Sequence, residues 1–152
     1  MYTVVDADAL YAVREHQHLL KGRIITPHAM EFQRLGGRVT CDPVEDAVRF
    51  STRWGCCTVL KGPDTVIAFP GGKVYLSRGG NPGMAVGGSG DVLAGIIGGL
   101  LGQMRIEQAV TAGVCIHDAA GDYCAERLGQ YSMMPTDMIE ALPYVMKPMI
   151  GR

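Results

Sequence analysis

The chain has 152 residues, room for one domain with a sizeable core, and 47% are hydrophobic against 19% charged. Fourteen basic and fifteen acidic residues give a formal net charge of -1. There is no basic run and no aromatic-basic interleaving, which argues against nucleic acid as a partner. The longest apolar run, near residues 92–101, is too short and glycine-rich to span a bilayer, and Asp6 and Asp8 stand where a signal peptide carries basic residues.

Five cysteines, Cys41, Cys56, Cys57, Cys115 and Cys124, are odd in number and contain no C-x-x-C pair. They read as free thiols of a reducing cytoplasm, and no metal site is assigned to them. In chain order, Tyr2–Val5 reads as a short buried strand, followed by a helix over about Ala7–Arg14. Carboxylates just past a strand's C-terminal end lie where open α/β sheets bind ligands. Helix capping is the competing reading for Asp6 and Asp8, and the preferred one for Asp8. A second strand, Arg23–Ile25, runs into Thr26-Pro27-His28, where the Thr-Pro turn starts a helix with Glu31 in its first turns. His28 thus sits on the rim where sites form, although a lone histidine is more often structural. Asp42-Pro43-Val44-Glu45 predicts a capping box opening a helix that stops at Gly55. Cys57–Lys61 is the next strand, with Cys56 and Cys57 facing opposite ways. Gly62-Pro63-Asp64 turns into a strand over Thr65–Phe69, and Pro70-Gly71-Gly72 turns back into Lys73–Ser77 as a hairpin. Lys61 and Thr65 flank a tight turn suited to a phosphate or nucleotide edge; the alternative is an exposed lysine beside a hairpin.

The stretch Gly79–Asp91 holds six glycines in thirteen residues and leads into an apolar segment with no charge between Asp91 and Arg105. The expectation is a glycine loop ending at the N-terminus of a buried helix, where free N–H groups and the positive dipole end suit phosphate. A phosphorylated ligand would be held by these amides and a few side chains, not by a broad field. Asp91 would stand at that end, placed to take a proton. The alternative is that the glycines serve tight packing and Asp91 caps the helix. Ile106–Leu128 predicts a long helix on which Val110, Gly113, Val114, His117, Gly121, Cys124 and Leu128 form an apolar stripe. Gly113 and Gly121 are read as close-packing positions and His117 as a satisfied core histidine. Gly129 ends this helix, and Pro135-Thr136-Asp137 starts a last one with Thr136 as N-cap. Strands alternating with helices, one hairpin apart, predict an α/β layered fold with a largely parallel sheet. A strand at the first residues suggests that something belongs before Met1.

The chain resembles the C-terminal half of the ADP/ATP-dependent NAD(P)H-hydrate dehydratases of the ribokinase-like superfamily. The matching segments are Val5–Leu10, Thr26-Pro27-His28 with Glu31-Phe32, and Val59–Gly62 with Thr65–Ile67. The most specific are Gly80-Asn81-Pro82-Gly83-Met84-Ala85 and Gly87-Gly88-Ser89-Gly90-Asp91. Ala119–Gly129 and Thr136-Asp137 fit the family's tail. Three departures stand out: Ala29-Met30 where the family usually has Pro-Gly, Val86 where it usually has Thr, and a length near half that of the family's domain.

The resemblance implies a three-layer ribokinase-like fold, incomplete at its N-terminal side, with residues 1–152 forming a single partial domain. It implies transfer of a phosphoryl group from ADP or ATP to the C6 hydroxyl of hydrated NADH or NADPH, followed by loss of phosphate. Asp91 would be the catalytic base. Lys61, Gly62, Pro63, Asp64, Thr65 and Gly90 would contact the adenine nucleotide. His28 and Asp91 would contact the hydrated dinucleotide. Gly87, Gly88, Ser89 and Gly90, with Asn81 shaping the region, would form the anion loop. Mg2+, carried over from the superfamily, would bridge phosphate oxygens, with no protein ligand named. Two rivals stay open: another ribokinase-like small-molecule kinase, and an inactive fragment. The shortness predicts self-association or association with a separate N-terminal piece, and little activity alone.

Overall fold

A computed structural model describes residues 2–149. It divides into two compact units, Met1–Ser77 and Arg78–Arg152.

The first unit is a sheet with its helices. β1 (Val4–Val5), β2 (Ile24–Ile25), β3 (Cys57–Leu60), β4 (Thr65–Ala68) and β5 (Val74–Ser77) lie side by side in that order. β1, β2 and β3 are parallel, with Val4 opposite Ile24 and Ile24 opposite Cys57. β4 runs antiparallel to both β3 and β5, so four of the five strands point one way. The turn at Gly62–Asp64 therefore closes a second hairpin beyond the expected one. Ile24, Ile25, Cys57, Thr58 and Val59 are all buried, which is why these strands read as unbroken apolar runs. β1 and β2 are shorter than expected. Bonds from the Ile24 N–H to Thr3 O (3.0 Å) and the Cys57 N–H to Arg23 O (2.9 Å) extend their pairing by a residue.

The helices of this unit are α1 (Ala7–Ala12), α2 (Ala29–Arg34) and α3 (Pro43–Trp54). α3 spans the expected residues, opened by Asp42 Oδ1 accepting the Glu45 N–H at 2.9 Å and closed by Gly55 at φ 65. Its capping box is only half formed. Glu45 pairs with Arg49, and the Asp42 N–H donates to Thr40 Oγ1 at 3.1 Å instead. Asp8 does not cap α1: it is the second helical residue, and Asp6 holds the N-cap position without a side-chain cap bond. α3 packs on β3 and β4. Phe50 meets Phe32 there at 4.9 Å between ring centres, within a core that includes Leu10, Ile25, Ala47 and Val66.

The second unit holds a 3-10 turn (Pro82–Met84), α4 (Ser89–Leu100), α5 (Ile106–Leu128) and α6 (Pro135–Met149). α5 fills the span its periodicity predicts. Its stripe is buried from Val110 to Cys124 and ends at the exposed Leu128. Close approach explains both stripe glycines. A Cβ at Gly113 would lie 2.6 Å from Ile97 Cγ1 of α4, and one at Gly121 would overlap the Met84 sulfur. α4 is not buried all round. Ser89, Val92, Leu93 and Ile97 are covered, whereas Gly95, Gly98 and Gly99 leave open space where a Cβ would stand. Thr136 does not cap α6: it is the second helical residue, and Asp137 Oδ2 accepts the Met134 N–H at 2.7 Å. No helix among the described residues is long and apolar enough to cross a membrane.

All five cysteines are free, with Cys41 and Cys115 exposed and Cys56, Cys57 and Cys124 buried. Burial pushes the Cys56 thiol from its ordinary value near 9 up to about 11 and raises Cys57 further. Their folded values lie above the unfolded one. Their stabilising contribution is thus whole below about pH 8.5 and is lost as pH rises through about 11. The expected result is reaction of two thiols with an aromatic disulfide reagent at pH 8, Cys41 ahead of Cys115, whose thiol burial also raises. The other three react only on unfolding, and the urea midpoint falls between pH 8 and 10.5. Prompt labelling of all five would contradict the burial.

Candidate functional site

In the first unit, parallel pairing brings together residues far apart in sequence. Asp6 follows β1, His28 follows β2 and Lys61 follows β3. His28 and Lys61 form a parallel bridge, and the Lys61 N–H donates to Pro27 O at 2.8 Å. The Lys61 side chain is only 24% exposed. Its Nζ lies 3.3 Å from Asp6 Oδ1 and 3.9 Å from Glu31 Oε2. It is therefore not a lysine waving beside a hairpin. With one cation facing two carboxylates, the cluster has little field to attract phosphate. The following turn, Gly62 to Asp64, is exposed.

His28 is the N-cap of α2 and takes the place of a serine in a capping box. Its Nδ1 accepts the N–H groups of Met30 (3.2 Å) and Glu31 (3.3 Å), while Glu31 Oε2 accepts the His28 N–H at 2.9 Å. An accepting Nδ1 leaves the ring proton on Nε2, 3.4 Å from Glu31 Oε1. The imidazole is half exposed and fixed in orientation. Thr26, just upstream, is fully buried, and its hydroxyl has no partner among the described residues.

In the second unit the glycine stretch is pinned along one face of α5. Both Asp122 carboxylate oxygens hold its start. Oδ2 accepts the Gly80 N–H and Oδ1 accepts Asn81 Nδ2, each at 3.0 Å. The other end of the Asn81 amide, Oδ1, accepts the Gly83 N–H at 3.0 Å, so the whole side chain shapes the loop from within. Met84 lies over Gly121. Gly88 is the N-cap of α4 at φ 99, a left-handed conformation, and a Cβ there would stand 3.1 Å from Pro135 Cγ. No side chain caps α4. The Ser89 N–H is taken by Val86 O at 3.2 Å, while the Gly90 and Asp91 N–H groups keep their capacity to receive an anion at the positive end of the dipole. Ser89 is buried, held by His117, whose Nε2 lies 2.9 Å from Ser89 O and 3.2 Å from Ser89 Oγ. Asp91 is exposed and is the third residue of the helix.

The structure thus groups Asn81, Gly87, Gly88, Ser89, Gly90 and Asp91 in one unit, and His28 with Lys61 through Thr65 in the other. Sequence reasoning missed Asp122, whereas His117 is the satisfied core histidine it expected, buried and bonded to Ser89. The available signal was Asp118 and Asp122 four residues apart, neighbours on one helical face at the border of the apolar stripe.

The mixed α/β sheet with its glycine-capped helix has the fold of the ribokinase-like proteins. It superposes with a TM-score of 0.85 on a ribokinase-like superfamily protein from Enterococcus faecalis, at 33% identity, covering 97% of this chain and 53% of that one. It superposes equally, at 0.85 and 29% identity, on the ADP/ATP-dependent NAD(P)H-hydrate dehydratase of Bacillus subtilis co-crystallised with ATP/Mg2+, covering 97% of this chain and 55% of that one. The family model described as NAD(P)H-hydrate dehydratase matches residues 2–144, and the chain belongs to that family. Among curated relatives it is 44% identical over 153 residues to the bifunctional NAD(P)H-hydrate repair enzyme Nnr of Moorella thermoacetica, covering 95% of this chain and 29% of that protein. It is 39% identical over 137 residues to the ADP-dependent (S)-NAD(P)H-hydrate dehydratase of Neisseria meningitidis, covering 83% of this chain and 46% of that protein. The chain thus spans about half the length, or less, of the relatives it matches.

Proposed function

We propose that this chain acts in the ADP- or ATP-dependent dehydration of (S)-NAD(P)H hydrate, restoring NADH or NADPH. The observation that carries the reading is Asp91 in the first turn of an uncapped helix that follows a left-handed glycine. The names of the relatives support the same activity. Asp91 takes the proton of the C6 hydroxyl as that oxygen attacks the terminal phosphorus of the nucleotide. The phosphorus–oxygen bond to the nucleotide breaks, leaving AMP from ADP. Phosphate then departs from C6 and a proton from the neighbouring carbon, which re-forms the ring double bond. The amides of Gly87, Gly88, Ser89 and Gly90 stabilise charge on the transferring group, and Asn81 holds the loop in shape for it. In the first unit, Lys61, Gly62, Pro63, Asp64 and Thr65 contact the adenine nucleotide. Its recognition rests on the exposed turn more than on the Lys61 charge, which Asp6 and Glu31 already balance. His28 contacts the hydrated dinucleotide through Nε2.

Among the described residues no three His, Cys, Asp or Glu side chains converge to hold a metal ion. Magnesium would neutralise charge on the nucleotide phosphates, and the resemblance assigns no residue of this chain to it. Free thiols suit a reducing compartment such as the cytoplasm.

ADP or AMP added to the 15N-labelled chain should shift backbone amides in 61–65. No shift there at millimolar nucleotide would remove the nucleotide assignment. Turnover of hydrated NADH with ADP, releasing free phosphate and NADH, tests the reaction itself. A stable phosphorylated product would make this a small-molecule kinase instead.

A further inference from the structure

We propose that His117 is a positioning residue that fixes the first turn of α4 and leaves the Ser89 hydroxyl proton free for an anion at the loop. The inference rests on the function proposed above only for the identity of that anion. Its starting point is a proton count. The Ser89 carbonyl oxygen, 2.9 Å from His117 Nε2, has no proton to give, so Nε2 must be the donor. Ser89 Oγ lies 3.2 Å from the same nitrogen. A nitrogen that already carries its proton cannot accept another, so the serine cannot donate its hydrogen there. Ser89 Oγ can only share the Nε2 hydrogen as an acceptor, and its own hydrogen remains to be donated.

Ser89 is 6% exposed and His117 8%, and among the described residues Ser89 Oγ has no hydrogen-bond partner but His117. A buried hydroxyl hydrogen without an acceptor is costly. Ser89 lies between Gly88 and Gly90, at the positive end of α4, so an oxygen anion at the loop is the acceptor its position favours. The other ring nitrogen, Nδ1, faces Asp118 Oδ1 at 3.7 Å. With α5 holding the ring on one side and Ser89 on the other, His117 sets both the direction of the Ser89 hydroxyl and the pitch of the first turn. It touches no substrate and acts only through Ser89.

The test has two arms, and the first needs no ligand. Long-range proton–nitrogen correlation of the full chain should show His117 protonated at Nε2. A neutral ring protonated at Nδ1 alone would overturn the inference, whatever the chain's function. In the same samples, His117→Met, which keeps volume but removes the donor, should move the amides of 88–91. His117→Gln, whose side-chain amide can donate from a similar place, should restore most of their positions. Unchanged amides in His117→Met would also overturn it. The second arm is kinetic. Losing a hydrogen bond to a charged group corresponds to about ten- to a hundredfold in rate. Ser89→Ala and His117→Met should each lower kcat for hydrated NADH by that factor with little change in KM, and the double variant should lose little more. Full additivity, or a wild-type kcat for Ser89→Ala, would refute the hydroxyl's role. A wild-type chain that, supplied with the N-terminal half of the family's domain, neither binds ADP nor turns over hydrated NADH would sink the functional reading alone. The nitrogen spectra would still decide the placement of His117.

Discussion

With the chain completed by the N-terminal half of the family's domain, Asp91→Asn should lower turnover of hydrated NADH by about a hundred- to ten-thousand-fold, the usual cost of losing a general base. ADP binding should change little, because the amide is isosteric and the first-turn N–H groups stay in place. The split between the two effects is the informative part. A carboxylate that merely favoured the helix dipole would contribute only about 0.3–1 kcal/mol, visible as stability and not as rate. Asp91 is exposed and makes no cap bond of its own, so its removal should leave the urea midpoint nearly unchanged. The measurements are single-turnover kinetics, calorimetric ADP binding and denaturation on the same preparations. Near-normal turnover by the Asn variant would exclude the base role.

Gly121→Val should be the most damaging substitution in the second unit. A Cβ at Gly121 would overlap the Met84 sulfur and come within 2.6 Å of its Cγ. Helix propensity alone would make replacing glycine slightly favourable, by at most about 1 kcal/mol. Forcing bulk into a packed contact costs about 1–3 kcal/mol, and valine adds two methyl groups beyond the Cβ, so the clash wins. Met84 sits in the 3-10 turn that shapes the loop, so the damage should reach the loop amides as well as stability. Shortening the partner should relieve it: Met84→Ala with Gly121→Val should be more stable than Gly121→Val alone. A double-mutant cycle without coupling would show that the two do not touch.

Much of the fold was legible because its signals are local. The Asp42-Pro43 start and the Gly55 stop fix α3, and a stripe at spacings of three and four fixes α5 from end to end. The readings that failed were competitions among neighbours. Asp8, Thr136 and Glu45 each had the right chemistry for a cap. Asp6, Met134 and Thr40 took those places, because side-chain direction and alternative partners decide such contests. The site was legible as a set of segments, since glycine density and strand ends are written in the sequence. Its supports were not. Asp122 lies 41 residues from Asn81 along the chain, and nothing local connects them. Nor could the sequence show that His117 lies within bonding distance of Ser89, 28 residues away.

The pinning of the glycine stretch along α5 has a consequence for how this loop moves. Loops are expected to exchange their amide hydrogens quickly, through small private fluctuations. Here the Gly80 N–H is held by Asp122, the Asn81 side chain is held at both ends, and the first turn of α4 is held by His117. The holding groups outside the loop, Asp122 and His117, belong to one continuous helix. Deuterium should therefore enter the Gly80 amide more slowly than an unheld loop amide, and Asp122→Ala should speed it. The loop and α5 would behave as one cooperative unit. A ligand arriving at the loop would then meet a surface ordered in advance, and protection gained on binding should appear at α5 amides that the ligand never touches.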